Sequence, residues 1–201
     1  MRSFLLIFIL LCTLGLSAQD FAFEYWHEGK LVLETGDTIR GYLKYNLQTD
    51  VLQVKNTSTI DTYTARNTLY FEIFDQTVKR YRQFYSLPFA TSGAYKAPVF
   101  FELVEEGKIT LLCREAVEYR TYSSSFYYYG SYSRLVLVNK YFLLKESGDI
   151  EAFLGTRRND WLDLMQNRAD EIQRYARTNR LDFDEKYDIA KIVAYYNSFY
   201  K

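Results

Sequence analysis

Few side chains in this sequence suit bond-making chemistry, and each of them stands alone. His27 is the only histidine, so a Ser–His or Cys–His nucleophilic pair has one possible base, and no Gly-x-Ser-x-Gly turn accompanies it. Cys113 shares a strand face with Ile109, Leu111, Val117 and Tyr119. On such a face a thiol behaves as a small hydrophobe and its pKa rises. One histidine and a lone apolar cysteine do not make a zinc or iron site. Asp182, Asp184 and Asp188 lack the mid-loop glycine and terminal glutamate of a calcium loop, so helix capping is their expected role. No glycine loop suited to cradling phosphate is present. No catalytic residue, metal ligand or cofactor is therefore assigned. Glu115 is the one acid singled out, because it alone interrupts an apolar strand face and glycosidase carboxylates meet in space rather than in sequence.

Binding chemistry is better represented. Tyr122, Phe126, Tyr127, Tyr128, Tyr129 and Tyr132 lie among Ser123, Ser124, Ser125, Gly130, Ser131 and Ser133. Rigid amphipathic rings spaced by small residues are the chemistry of adaptable recognition loops, suited to a protein surface or a sugar face. The competing expectation is structural: the rings fold back over the sheet, or form the tip of a long hairpin stabilised by cross-strand aromatic pairs. Aromatics make up 18% of the chain, including 20 tyrosines, which half-buried β surfaces accommodate well.

The start of the chain bears on where this chemistry would operate. Met1-Arg2-Ser3 precedes an apolar run from Phe4 to Leu16, followed by Ser17-Ala18-Gln19-Asp20. That is the layout of a cleavable secretory signal over residues 1–18, and the run is short of the roughly 20 residues that span a bilayer. Cleavage is expected after Ala18, with Gln19 as the alternative. An uncleaved anchor is the weaker reading, and Cys12 lacks the small preceding residue that lipidation wants. Cleavage would remove Cys12 and leave Cys113, so no internal disulfide could form. It also removes Arg2 alone from 25 basic residues, leaving 24 against 25 acidic ones. Near-neutral charge without like-charge runs argues against nucleic acid as a partner, and the mature chain is expected to have no transmembrane span.

The elements that must position these groups follow from periodicity. Gly29–Glu34 and Thr38–Tyr45 around a Thr35-Gly36-Asp37 turn predict a hairpin, and 51–55 with 59–63 predict another. From Asn67, alternation predicts Leu69, Phe71 and Ile73 on one face, with Thr68, Tyr70 and Glu72 on the other. Val78–Tyr85 continues the β character. Val99–Val104 and Lys108–Arg120 form a hairpin turning at Glu105-Glu106-Gly107. Leu135–Lys145 is apolar on both faces, as in a central strand, and turns into Ile150–Leu154. Past Gly155 the apolar period becomes helical, predicting one helix over Asn159–Thr178 and a second striped by Ile189, Ile192, Val193 and Tyr196. Asp182 and Glu185 have capping-box spacing. The nine basic and eight acidic residues from Arg157 to Lys201 are expected on solvated faces.

The expected fold is α+β: an antiparallel sheet, sandwich or partly open barrel over 19–155, then a helical hairpin over 156–201. An outer-membrane barrel is disfavoured by the charged helical end and short strands. Gly29-x-Leu31-Val32-Leu33-x-x-Gly36-Asp37-Thr38-Ile39-x-Gly41, Lys140-Tyr141-Phe142-Leu143 with Gly148, and Ile192-Val193-Ala194-Tyr195-Tyr196-Asn197-Ser198 together resemble uncharacterised exported proteins of Bacteroidota-type bacteria. The resemblance implies a periplasmic, outer-membrane-associated or secreted location and carries over no site residue. The leading expectation is a non-enzymatic binding module whose partner is a protein or carbohydrate of the cell envelope. The alternatives are a carboxylate-dependent hydrolase acting on envelope or extracellular carbohydrate, and a structural subunit of an outer-membrane-associated assembly.

Overall fold

The computed structural model describes residues 23, 25–91, 93–122 and 130–200. Among them, β1 (His27–Leu33), β2 (Thr38–Asn46), β3 (Val51–Lys55), β4 (Ile60–Thr64), β5 (Thr68–Asp75), β6 (Arg80–Phe89), β7 (Ala97–Glu105), β8 (Thr110–Tyr122), β9 (Tyr132–Leu144) and β10 (Ile150–Phe153) form a 10-stranded antiparallel sheet. Its order is β10-β9-β8-β7-β6-β5-β1-β2-β3-β4. Every neighbour is adjacent in sequence except β1, which sits between β2 and β5. Three helices follow: α1 (Arg158–Leu164), α2 (Ala169–Thr178) and α3 (Lys186–Asn197). This is the α+β fold expected, as an open curled sheet with helices on one face. No helix among the described residues is long and apolar enough to cross a membrane.

The first half of the sheet curls around its own side chains. Gly29 and Gly41 face each other across β1 and β2. A Cβ at Gly29 would lie 2.1 Å from the Glu72 carbonyl oxygen, and one at Gly41 2.9 Å from that of Lys55. Only glycine permits this backbone approach, which lets the strands bend. The concave face then buries Leu31, Leu43, Tyr45, Leu52, Phe71, Phe84 and Phe100, with the Phe71 and Phe84 rings stacked at 4.6 Å. One predicted alternation fails here: Thr68 is fully buried and Leu69 is 49% exposed. The register between β1 and β5 steps from Val32↔Tyr70 to Leu33↔Thr68, so Leu69 is an extra residue and the parity reverses.

Helices close the same face farther along. Ile109, Leu111, Cys113 and Tyr141 pack against Trp161, Met165, Ile172, Ala176, Ile189, Ile192, Val193 and Tyr196. Each fully buried large apolar side chain contributes about 1.5–3 kcal/mol. Asn197 ties α3 to the β7–β8 turn: its amide oxygen accepts from Ile109 N (2.8 Å) and its amide nitrogen donates to Ile109 O (2.9 Å). On the opposite face Phe101, Leu112 and Phe142 form a smaller cluster with Phe89 edge-on.

Two helical expectations change. The single helix over 159–178 is two, because Met165 (φ −103°, ψ 25°) and Arg168 (φ −132°, ψ 14°) leave helical geometry around a 3-10 turn. The apolar stripe continues across the break since both short helices bury into one core. Nor does Asp182 cap α3. The N-cap is Glu185, without a side-chain cap bond, and Asp182 accepts instead from Asp184 N at 2.9 Å within the connector.

Candidate functional site

Strands β8 and β9 form an unbroken ladder from Thr110↔Leu144 to Tyr122↔Tyr132. Their outside neighbours stop early. β7 pairs with β8 only as far as Glu102↔Cys113, and β10 pairs with β9 only as far as Phe153↔Tyr141. Beyond those points, among the described residues, 114–122 and 132–140 pair only with each other. At ~3.3 Å per residue this two-stranded arm runs roughly 30 Å. It carries the tyrosine-rich segment that the sequence singles out.

The root of the arm is held by a sealed charge cluster. The Arg82 guanidinium donates from Nε to Glu102 Oε1 (2.9 Å), from Nη2 to Glu102 Oε2 (2.7 Å) and from Nη1 to Asp75 Oδ2 (3.0 Å). Its Nη2 also lies 2.8 Å from Glu115 Oε1. Lys186, the first residue of α3, reaches Glu102 Oε2 at 2.9 Å and Glu115 Oε1 at 2.6 Å. All five side chains are nearly inaccessible, Glu115 and Lys186 at 6% each. Lys186 thus departs from the solvated role expected of charges after Arg157. Out of water an unpaired charge is costly, so the ions stay paired.

The electrostatics match that geometry. Burial disfavours the charged form of Glu102, but Arg82 and Lys186 more than reverse it and the carboxyl titrates below its ordinary range. Asp75 behaves alike: burial opposes ionisation, while hydrogen bonds from Thr77 and Arg82 outweigh it. Burial resists the charge on Lys186 as well, yet Glu102 and Glu115 hold its proton more tightly than usual. Beside the cluster, burial pushes the Cys113 thiol far up, so it stays protonated. Glu102 and Glu115 therefore do face each other, the arrangement a hydrolase would need, but both are clamped by cations and shut from solvent. The cluster's evident work is mechanical. It joins β5, β6, β7, β8 and α3, and Glu115 is the second arm residue past the β7 pairing.

A second contact fixes the root from the β2–β3 turn. Asp50, held at φ 56°, accepts from the Tyr45 hydroxyl, from Phe100 N (3.3 Å) and from Arg114 Nη2 (3.4 Å). Arg114 also lies over the Phe101 ring at 5.5 Å. The turn so occupies the place where β8 parts from β7.

Toward the tip the chemistry changes. Val117 faces Leu137 and Tyr119 faces Leu135 on one side of the arm, with Tyr119 75% exposed. The other side carries the Glu118–Lys140 ion pair (2.8 Å) and then Tyr122 stacked on Tyr132 at 5.5 Å. Arg134 lies over the Tyr122 ring at 4.8 Å and donates to its hydroxyl at 3.4 Å, which lowers that tyrosine's pKa. Of the sequence-selected residues, Tyr122 and Tyr132 are thus brought together as the last described pair; Phe126, Tyr127, Tyr128 and Tyr129 lie outside the described residues.

Of the root residues the sequence singles out Glu115 alone; Asp75, Arg82, Glu102 and Lys186 escape it. The available signals were Glu115 on an apolar face and Glu102 inside the apolar run Val99–Val104. Sequence reading also missed two shallow depressions on the convex face, about 420 and 630 Å³, which share Arg40, Gly41 and Tyr42. Among the described residues no cluster of histidine, cysteine and acids has the makings of a metal site. No protein-family model, no curated protein and no solved structure matches this chain.

Proposed function

We propose that this chain is an exported protein of the cell envelope or extracellular space that acts by binding, presenting the aromatic end of its β8–β9 arm to a protein or carbohydrate partner. One observation carries the reading: the arm's outer part pairs only with itself, while its root is clamped in a sealed ion cluster. A stiff mount under exposed rings is what a recognition surface requires, because little ordering remains to be done when the partner arrives. The export part rests on the Met1–Asp20 segment and on the resemblance to exported proteins. Nothing at Glu102 and Glu115 favours hydrolysis, since a general acid must reach its substrate.

The test is capture from envelope extract, with isolated envelope polysaccharide as a parallel bait. The native chain is compared with one bearing serine at Tyr122, Phe126, Tyr127, Tyr128, Tyr129 and Tyr132. The expected result is a partner retained by the native chain and lost by the variant at unchanged circular dichroism. Equal capture and an unaltered cellular phenotype would overturn the binding role of these rings. Amino-terminal sequencing of the exported protein is expected to begin at Gln19; recovery from the cytoplasm with Met1 intact would refute export.

A further inference from the structure

We propose that the outer edge of β9 is a self-association edge, on which two copies of this chain pair antiparallel to make a continuous β8-β9-β9-β8 sheet centred on Val136. The proposal goes beyond the binding role above and stands or falls without it. It starts from a mismatch. Leu135-Val136-Leu137-Val138 is apolar on both faces, yet among the described residues its backbone pairs with β8 along one edge and is unpaired along the other.

The other strand edges are guarded as edges in soluble proteins usually are, by shortness or charge. β4 is 5 residues long and carries Asp61. β10 is 4 residues long, with Glu151 ion-paired to Lys145. The outer edge of β8 carries Glu115, Glu118 and Arg120, and a symmetric pairing about its middle would set Glu118 against Glu118. The β9 edge differs on each count. Among the described residues it is unpaired from Tyr132 through Lys140, holds no acid, and keeps its two cations, Arg134 and Lys140, out of the uncharged centre.

The free stretch is also self-complementary. A two-fold axis at Val136 places Leu135 opposite Leu137 of the second copy, Ser133 opposite Asn139, Arg134 opposite Val138 and Tyr132 opposite Lys140. No cation meets a cation, and apolar meets apolar on the face that already bears Val117 and Tyr119. This register uses the whole free edge and no more. Displaced one way, it drives the second copy's strand into the line of β10; displaced the other way, it leaves residues unpaired at both ends. The pairing is isologous and closes on itself, giving a dimer rather than a filament. An interface of this width is below the usual size of a permanent one, so exchange between dimer and monomer on dilution is expected.

The test is the mass of the full chain recovered from expressing cells, by sedimentation equilibrium across a dilution series. The expected result is twice the single-chain mass at high concentration, falling to the monomer with the Leu135→Lys, Leu137→Lys double variant. Val136→Cys sits on its own counterpart at a separation within disulfide range. It is expected to give a covalent dimer under mild oxidation, while Glu118→Cys and the unaltered chain, whose Cys113 is buried, give none. The cysteine experiment decides the matter even if the lysine variant fails to fold. A monomer at every concentration, or equal cross-linking at residues 118 and 136, would overturn the proposal.

Discussion

The root and the tip of the β8–β9 hairpin share one ladder and differ in everything that surrounds it. At the root, Leu111 and Cys113 lie under three helices, and Glu115 is locked between Arg82 and Lys186. A few residues farther out, among the described residues, the strands carrying Val117, Tyr119, Leu135 and Leu137 pair only with each other. Backbone pairing alone leaves a two-stranded ribbon marginal in water. The root therefore supplies the stability, and the tip is released to carry exposed rings. The difference also separates two uses of charge. Buried ions are costly to leave unpaired, so they fix a position; exposed pairs such as Glu118–Lys140 contribute little and can be exchanged.

That contrast can be broken most severely at Arg82. Arg82→Met leaves Asp75, Glu102 and Glu115 around a lone Lys186, and the expected loss is about 3–5 kcal/mol of unfolding free energy, measured by urea titration. Arg134→Met, at the tip, is expected to change the same quantity by less than about 1 kcal/mol. Equal effects would mean that the root is no more rigid than the tip. Next in size comes an apolar pair. Leu111→Ala should lose about 2–5 kcal/mol, and Leu137→Ala under about 1 kcal/mol when both are compared at high dilution.

Acid offers a third comparison. Asp75 and Glu102 hold protons less readily in the folded chain than in an unfolded one. Their contribution is thus complete above the ordinary carboxylate range and lost as pH falls through their depressed values. Urea midpoints taken on descending pH should decline in the native chain, with the decline shared by a Glu118→Gln variant. Loss of most of the decline in the Glu118→Gln variant would contradict the assignment of acid sensitivity to the root, because Lys140 lowers that exposed carboxyl's pKa too but such a pair contributes little. The smallest effect is expected at the tip. Replacing Tyr122 and Tyr132 with serine removes one stacked pair, and the unfolding free energy should move by less than about 1 kcal/mol.

Much of the sheet was legible in the sequence because its strands follow a period of two and several turns carry glycine or small polar residues. The β1–β2, β3–β4 and β7–β8 hairpins fall where the pattern puts them. What escaped was long-range. Lys186 reads as one more charge near a helix start, and only the folded chain shows it meeting acids 84 and 71 positions away. The bulge at Leu69 depends on β1, which nothing in residues 67–75 announces. The break at Met165 carries no proline or glycine to mark it. β9 is central as the pattern suggests only over 141–144, where it lies between β8 and β10; from 132 to 140, among the described residues, it pairs with β8 alone, because an apolar pattern records how a strand's faces pack and not how many neighbours its edges have. The tyrosine-rich segment was found because composition is local, and its described members, Tyr122 and Tyr132, pair as a hairpin tip would.

The position of Lys186 near the far end of the sequence from its partners has a consequence of its own. Asp75, Arg82, Glu102 and Glu115 all precede Lys186, so a chain truncated before α3 holds three acids and one base at this spot without the second cation. Water must stay at that spot until the last cation arrives. A chain truncated before α3 is therefore expected to keep this spot wet and to be cut by protease faster than the full chain.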